Sequence, residues 1–204
     1  MAKQKSISLN HSPEEELAHP DIENVLFSRE QINHRVIEMS DTITSDYQTL
    51  GATELTIVGI TNGAVVFVSD LLRGVRLHTR FDTVRVTSYY DYDSPVALPK
   101  ILAQGKLRLD GKHVLLVDDI LDTGNTLSLL RKTLLAQNPV SLRTCVLLDK
   151  KSRRVTPFEA EYVGFDLPDV FVVGYGLDYA ERYRNLPYIG TLKIERRDTS
   201  SWDD

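Results

Sequence analysis

Short aliphatic runs alternate with longer amphipathic segments along most of the chain. Runs rich in aliphatic and β-branched residues predict four buried strands, at 55–60 (LTIVGI), 81–88 (FDTVRVTS), 113–119 (HVLLVDD) and 141–149 (SLRTCVLLD). Apolar residues spaced three and four positions apart predict three helices, at 28–47, 63–75 and 126–137. Because strand and helix alternate, we expect an α/β fold whose central parallel sheet is flanked by helices on both faces.

The first predicted helix has a clear start signal. Ser28 lies three residues before Gln31, which is the spacing of a capping box. The core-facing residues of this helix are expected to be Ile32, Val36, Met39 and Ile43. The residues that precede it are mostly polar, so we expect a loosely ordered N-terminal arm at 1–24.

The last fifty residues break the alternation. They contain three short apolar runs, EYVGFDL, VFVVGYGLDY and YIGTLKI. Three prolines separate or flank these runs: Pro157, Pro168 and Pro187. We interpret this part as a small C-terminal hood beside the sheet, with elements from about residue 150. The main domain is then expected at 25–194, followed by a polar tail at 195–204.

Residues 89–105 (YYDYDSPVALPKILAQG) form a long connection after the strand at 81–88. Connections of this length are usually disordered or functional, and two prolines among Tyr and Asp residues are not typical of a core element. One interpretation is an active-site lid with Ser88 and Tyr89 at its base. The other is a floppy surface insertion.

The composition is that of an ordinary globular protein. Of the 204 residues, 42% are hydrophobic and 26% are charged, which argues against a fibre or a wholly disordered chain. The net charge of −5 and the scattered Lys and Arg residues argue against nucleic acid as the main partner. Cys145 is the single cysteine, and no segment has the length of a membrane span or the pattern of a signal peptide. We expect a cytoplasmic protein.

The segment HVLLVDDILDTGNTL at 113–127 carries the strongest chemical signal. Asp118, Asp119 and Asp122 follow a buried strand, and the turn TGNT follows them directly. Ligands of open parallel sheets bind beyond the carboxyl ends of the strands, so these acids are expected to face a crevice. The turn offers backbone amides, a glycine and two hydroxyls at a helix start, which together make a phosphate cradle. Carboxylates beside such a cradle suit a ribose 5-phosphate.

The sequence VLLVDDILDTGNT resembles the phosphoribosyl pyrophosphate (PRPP) signature of type I phosphoribosyltransferases. Other features narrow the resemblance to the 6-oxopurine branch, the hypoxanthine-guanine phosphoribosyltransferases: LLDKK at 147–151, VGFDLPDVFVVGYGLDYAERYRNL at 163–186, and Ser88-Tyr89. The resemblance covers residues 25–194. It implies the type I phosphoribosyltransferase fold and transfer of the 5-phosphoribosyl group from PRPP to N9 of hypoxanthine or guanine, as in purine salvage.

The resemblance assigns PRPP to the stretch after the central strand. Asp118 and Asp119 would hold the ribose hydroxyls, offset positive charge on the ring and serve as metal ligands. Asp122 would transfer a proton at N7 of the purine. The main chain and hydroxyls that would hold the 5-phosphate belong to Thr123, Gly124, Asn125 and Thr126.

Residues nearer the C-terminus would bind the base, the pyrophosphate and the metal. Lys150 would donate to the exocyclic O6, Phe171 would stack on the base, and the main chain of Val172 would read the edge of the base. Asp178 would help to hold magnesium, and Arg184 would contact pyrophosphate. A plain structural interpretation stays open for two of these residues, with Phe171 as core and Lys150 as a solvated lysine.

One turn departs from the family pattern. The family binds pyrophosphate at the position of GITNGAVV, commonly with Lys before the glycine, whereas this chain has Asn62. The amides of Thr61, Asn62 and Gly63 can still contact an anion. Strain tends to persist at such sites, and a cis peptide bond between Thr61 and Asn62 is one form of it. Pyrophosphate binding must then depend more on magnesium, Arg184 and the lid.

The resemblance also implies the cofactor, the mechanism and the partners. Mg²⁺ would neutralise the leaving pyrophosphate during displacement at C1 of the ribose, which passes through a loose, cation-like transition state. A closed lid would keep water away from that cation. PRPP and a purine base are the expected partners, without nucleic acid or membrane, and the expected assembly is a homodimer or homotetramer.

Three other interpretations are weaker. In the first, the turn only caps a helix and the acids are simply solvated, but three acids before a Thr-Gly-x-Thr turn disfavour this. An RNA-binding pyrimidine-operon attenuation regulator with a uracil phosphoribosyltransferase-like fold would lack an acid at Asp122, and Lys150 also disfavours it. A P-loop or dinucleotide-binding enzyme would need a glycine pattern that Gly174-x-Gly176 does not complete.

Overall fold

The computed structural model describes residues 18–89, 98–104 and 108–196. The strands are β1 (Ile22–Phe27), β2 (Glu54–Thr61), β3 (His78–Tyr89), β4 (Leu98–Gln104), β5 (His113–Leu121), β6 (Ser141–Asp149), β7 (Tyr162–Asp166), β8 (Val172–Val173) and β9 (Ile189–Leu192). The α-helices are α1 (Arg29–Thr49), α2 (Val65–Gly74) and α3 (Asn125–Leu135). Single turns of 3-10 helix lie at Lys151–Arg153 and Ile194–Arg196.

Six strands form the main sheet, in the order β4-β3-β2-β5-β6-β7. The five strands from β3 to β7 in this order are parallel, and β4 pairs antiparallel with β3 at one edge. Every helix and strand predicted between residues 28 and 149 is present, so the central parallel sheet is confirmed. The central strand is aliphatic because both of its faces are buried, as the full burial of Leu115 and Leu116 shows.

Helices cover both faces of this sheet. α1 and α2 pack on one face, where Ile32 and Phe67 are fully buried, and α3 packs on the other face through Leu130. The predicted capping box starts α1: the Ser28 hydroxyl accepts from the Gln31 amide, and the Gln31 side chain accepts from the Ser28 amide at 2.8 Å. The apolar cores on the two faces of the sheet hold its strands in place, and the polar residues singled out above lie at the ends of these strands.

A separate three-stranded sheet, β1-β9-β8, forms the hood. Two predictions about its limits are wrong. The run EYVGFDL forms β7, which pairs with β6 in the main sheet and places Tyr162 beside Cys145. No α-helix separates β6 from β7, so the alternation of strand and helix ends at β6 although the sheet continues to β7. The arm predicted at 1–24 extends too far, because β1 begins at Ile22 and pairs with Leu192.

Two further boundaries also differ from the predictions. The segment 89–105 contains a regular strand, β4, whose backbone pairs with β3, so part of it is not an irregular connection. The predicted tail at 195–204 begins inside a 3-10 turn, where Arg196 Nε lies 2.8 Å from Asp21 Oδ1. Parts of the predicted arm, lid and tail lie outside the described residues, namely 1–17, 90–97, 105 and 197–204.

Candidate active site

The carboxyl ends of β2, β5 and β6 lie side by side in the main sheet. Val117 of β5 pairs with Gly59 of β2, and Leu121 of β5 pairs with Asp149 of β6. The predicted acids, the turn after β2, the turn at 123–126 and Lys150 all lie at these strand ends; we call the turn at 123–126 the phosphate turn, after its predicted role. The fold therefore brings them to one edge of the sheet, which is where open parallel sheets bind ligands.

Asp118 and Asp119 form an acidic pair near the end of β5. Asp118 is buried, and its Oδ1 accepts from the Asp119 amide at 3.0 Å. Burial, reinforced by the charge of Asp119, raises the pKa of Asp118 well above its usual range. Burial also raises the pKa of Asp119, while hydrogen bonds and the charge of Arg184 partly oppose that rise. The pair is therefore suited to a ligand that donates hydrogen bonds or brings positive charge.

We predict that this pair destabilises the protein when no ligand is bound. A carboxyl group whose pKa is raised by folding holds its proton longer in the folded state. Folding stability is therefore lost as the pH rises from the unfolded-state pKa of about 4 through the higher folded-state value. Asp118→Asn should raise the melting temperature at neutral pH by about 2–6 °C and flatten its decline with pH.

Calorimetry on the ligand-free protein from mildly acidic to neutral pH checks this prediction. Asp110→Asn, at an exposed aspartate in the turn before β5, is the matched control and should leave the melting temperature unchanged. If Asp118→Asn melts at or below the wild-type temperature at neutral pH, the pair is not a source of instability.

The turn after β2 contacts the acidic pair. The peptide bond between Thr61 and Asn62 is cis. Gly63 packs so tightly on Asp119 that a Cβ atom at this position would lie 1.8 Å from Asp119 Oδ2, so any larger residue would displace the Asp119 carboxylate. The hood contacts the same turn, because the backbone of Gly176 packs against the Gly63 carbonyl. The turn is thus enclosed between the acids of β5 and the hood.

The turn at 123–126 has the predicted form of a phosphate cradle. Gly124 is the N-cap of α3, and its φ of +86° is a left-handed conformation that favours glycine. The Asn125 amide reaches the Thr123 hydroxyl only at 3.4 Å. Because the first amides of a helix have no partner within the helix, this end of α3 is suited to bind an anion.

Asp122 lies between the acidic pair and the phosphate turn. Its Oδ1 is buried and has no hydrogen-bond partner among the described residues, and its Oδ2 lies 3.7 Å from Arg153 Nη1. A buried carboxylate oxygen without a partner is unfavourable unless a ligand supplies one. The Asp122 carboxylate is therefore available to accept a hydrogen bond or a proton from a ligand.

Lys150 is buried at the end of β6. Its Nζ donates to the Val170 carbonyl at 3.0 Å and lies 2.8 Å from Asp169 Oδ1. The plain interpretation of Lys150 as a solvated lysine is therefore wrong. An ammonium group has three N–H donors, so one donor remains for a ligand.

Phe171 stands at the edge of the hood with 43% of its surface exposed. Its ring makes an edge contact with the Tyr179 ring, with 5.4 Å between the centroids. The interpretation of Phe171 as core is wrong, whereas the next residue, Val172, is buried in β8. The exposed face of Phe171 is available to stack on a planar ligand.

Arg184 and Asp178 form an ion pair on the hood. Arg184 Nη1 lies 2.9 Å from Asp178 Oδ1 and donates to the Gly176 carbonyl at 2.8 Å, and Nη2 donates to Glu181 at 3.0 Å. The positive charge of Arg184 also lowers the pKa of Asp119 against the effect of burial. Arg184 is thus close enough to act on the acidic pair, and it can bind an anion by exchanging its carboxylate partners.

The other predicted features of the site are described only in part. Ser88 and Tyr89 lie at the end of β3, and their side chains are outside the description. Within residues 18–89, 98–104 and 108–196, no group of three or more His, Cys, Asp or Glu side chains is arranged to hold a metal ion. No helix in that part of the chain is long and apolar enough to cross a bilayer.

Comparison with known proteins identifies the family. Residues 28–180 match the model of the phosphoribosyl transferase domain. The hypoxanthine-guanine phosphoribosyltransferase of Mycobacterium tuberculosis is 43% identical over 192 residues, which are 93% of this chain and 95% of that protein. The chain belongs to the hypoxanthine-guanine phosphoribosyltransferase family.

Other members of the family are similarly close. The hypoxanthine-guanine phosphoribosyltransferase of Bacillus subtilis is 42% identical over 173 residues, which are 85% of this chain and 94% of that protein. A crystal structure of a hypoxanthine phosphoribosyltransferase from Staphylococcus aureus has a TM-score of 0.82 and 41% identity, and covers 88% of this chain and 96% of that chain. The type I phosphoribosyltransferase fold is confirmed, and none of these relatives supports an attenuation regulator.

Sequence reasoning missed two residues of this phosphoribosyltransferase site. Asp169 pairs with Lys150, and Arg154 forms a largely buried ion pair with Asp149 directly behind the phosphate turn. Arg154 ends the basic run KKSRR at 150–154, in which Lys150 is buried and the three residues between it and Arg154 are exposed. A run of charges is usually a solvated surface, so the sequence alone does not show that Arg154 is largely buried.

Proposed function

We propose that the protein transfers the 5-phosphoribosyl group of PRPP to N9 of hypoxanthine or guanine, giving the nucleoside 5′-monophosphate and pyrophosphate. The observation that carries this proposal is the meeting of three groups at one sheet edge: the buried Lys150, the acidic pair of β5 and the glycine-capped start of α3. These three match the exocyclic oxygen of a 6-oxopurine, a ribose and a phosphate. Membership of the family supports the same assignment.

PRPP is bound along β5 in this proposal. Asp118 and Asp119 hold the ribose hydroxyls, and the amides and hydroxyls of residues 123–126 hold the 5-phosphate. The amides of Asn62 and Gly63 receive the pyrophosphate together with Arg184. Support comes from the contact between Gly63 and Asp119, because the turn at 61–63 lies against the acidic pair.

The base lies between Lys150 and the hood. Lys150 donates to O6, the main chain of Val172 reads the base edge, and Phe171 stacks on the base. Support comes from the burial of Lys150 and from the exposure of the Phe171 ring. A buried ammonium that is already paired with Asp169 selects an acceptor oxygen over the amino group of adenine, because an amino group would leave one donor unsatisfied.

Magnesium is the cofactor that this donor set fits. Asp118 and Asp119 are neighbouring carboxyl groups whose pKa values are raised by burial, and a divalent cation would favour their ionised forms. Asp178 would join as a further ligand on the hood by exchanging its contact with Arg184. When bound with PRPP, magnesium neutralises charge on the leaving pyrophosphate.

The reaction is displacement at C1 of the ribose through a loose, cation-like transition state. The side chains mainly position the reactants and stabilise charge: the acidic pair faces the ribose as it becomes positive, and Asp122 accepts the N7 proton. Ser88 and Tyr89 form the base of a lid over the reacting centre. Water must be excluded because it would capture the ribosyl cation.

We also propose a cytoplasmic homodimer or homotetramer. The buried free thiol of Cys145 suits a reducing compartment. Exposed apolar side chains at Ile37 and Val65 lie on neighbouring helices, α1 and α2, and offer an apolar surface for a second copy. Sedimentation analysis would distinguish these two assemblies from a monomer.

Product binding tests the proposed substrate class. In calorimetric titrations, inosine and guanosine 5′-monophosphates should bind at least about tenfold more tightly than adenosine or uridine 5′-monophosphate, since only the first two present O6 to Lys150. Inosine without its phosphate should also bind more weakly than the nucleotide. Preferential binding of the uridine nucleotide would overturn the assignment of the base site.

A further inference from the structure

Arg154 has a largely buried guanidinium that the proposed mechanism does not use. Its side chain is 16% exposed, and its Nε donates to the Asp122 carbonyl at 3.0 Å. Nη1 donates to the Phe158 carbonyl at 2.7 Å, and Nη2 donates to the Leu121 carbonyl at 3.3 Å and to the Asp149 carboxylate. One side chain thus ties the ends of β5 and β6 to the segment that follows them.

The two residues after Arg154 extend this contact to the phosphate turn. The amides of Val155 and Thr156 both donate to the Thr123 carbonyl, at 3.0 and 2.9 Å. The Thr156 hydroxyl donates to the Asn125 side-chain oxygen at 2.5 Å. We call residues 154–156 the clamp segment, because they donate to oxygen atoms of the turn and of the two residues before it, and leave the first amides of α3 to a ligand.

We propose that Arg154 is a positioning residue, which holds the phosphate turn and Asp122 in the geometry that binds and converts PRPP. The inference rests on the proposed function, because it gives Arg154 a part in that reaction without any contact with substrate. Three of its four acceptors are carbonyl oxygens, and two of those belong to Leu121 and Asp122, immediately before the turn. The orientation of the Asp122 backbone sets the position and direction of its carboxylate.

The planar fork of arginine is needed for this arrangement. A guanidinium can donate to four acceptors in one plane, whereas a lysine ammonium is a point charge with three donors. Lysine at 154 would keep the ion pair with Asp149 and lose part of the carbonyl contacts. A turn that is less firmly held must be ordered when the ligand binds, which weakens binding and slows the reaction.

Arg154→Lys tests the inference, with Arg143→Lys as its matched control. Arg143 lies near the start of β6, at the opposite end of that strand from Arg154, and pairs with Asp46 at 2.6 Å, far from the phosphate turn. For both variants and wild type, affinities for inosine 5′-monophosphate and for inosine are measured by calorimetry, together with the melting temperature. Amide hydrogen exchange of residues 118–127 is followed in the ligand-free proteins.

Arg154→Lys should weaken binding of the nucleotide about 10- to 100-fold, change binding of inosine less than about twofold, and speed exchange in residues 118–127. Arg143→Lys should change the melting temperature only. Thr156→Ala, which removes the contact with Asn125, should give a smaller loss of nucleotide affinity in the same direction and provides the test if Arg154→Lys does not fold.

Two results would overturn the inference. The first is equal nucleotide affinity and equal exchange in Arg154→Lys and Arg143→Lys, which would make Arg154 a purely structural residue. The second is faster exchange in the turn without any selective loss of the nucleotide. If the wild-type protein binds no purine nucleotide, the proposed function fails. In that case, unchanged hydrogen exchange in Arg154→Lys would separately show that Arg154 does not hold the phosphate turn in place.

Discussion

Replacing Asp122 with asparagine should lower kcat by about 10² to 10⁴-fold, the usual range for a positioned acid or base. Asparagine keeps the size and most of the hydrogen-bonding capacity of the side chain but does not accept a proton. The buried Oδ1 of Asp122 lacks a partner among the described residues, which leaves it to a ligand. PRPP affinity should change little, and relief of repulsion next to the phosphate turn should tighten it slightly.

Steady-state kinetics and PRPP titration on the same variant check this prediction. Asp41→Asn is the matched control, because it removes a carboxylate that pairs with Arg76 on the surface, and it should be as active as wild type. Near-normal kcat for Asp122→Asn would mean that Asp122 only stabilises the start of α3. Catalysis would then have to be assigned elsewhere.

The second large effect is expected at Lys150. Lys150→Gln keeps a hydrogen-bond donor but removes the charge that pairs with Asp169, and a hydrogen bond from a charged donor contributes more than one from a neutral donor. KM for hypoxanthine and guanine should rise about 10- to 100-fold, while PRPP binding stays nearly unchanged because the phosphate turn lies on a different strand end.

The neighbouring lysine provides the control for this variant. Lys151 is exposed and pairs with Asp166 at 2.7 Å on the surface, so Lys151→Gln should leave both KM values unchanged. Steady-state kinetics, with the purine and PRPP varied in turn, gives the KM for each substrate and so distinguishes the two variants. Equal losses for purine and PRPP in Lys150→Gln would indicate damage to the fold and not a role in reading the base.

The sheet and the acidic strand end were predictable because their signals are local. Because β5 is buried on both faces, its sequence is a continuous aliphatic run, and the acids follow that run directly. The helix starts were equally clear, since the Ser28 capping box and Gly124 are short-range patterns. These local rules located the phosphate turn without any knowledge of the rest of the fold.

The remaining features depend on pairings between distant parts of the chain. β1 pairs with β9 across most of the sequence, and its mixed polar pattern gives no sign of a partner. β7 enters the main sheet without a preceding helix, so its short run looks the same as those of the hood. The burial of Lys150 likewise depends on contact with Val170, and that of Arg154 on contact with the chain at Asp122, which only the fold brings near.

The most direct test of the account is turnover with PRPP, magnesium and a panel of bases: hypoxanthine, guanine, xanthine, adenine and uracil. The account predicts formation of the nucleoside 5′-monophosphate and pyrophosphate with hypoxanthine, guanine or both, and none with adenine or uracil. Xanthine is included because its oxygen at C2 would be read by main-chain groups near Val172. Turnover with uracil alone, or with no base in the panel, would contradict the account.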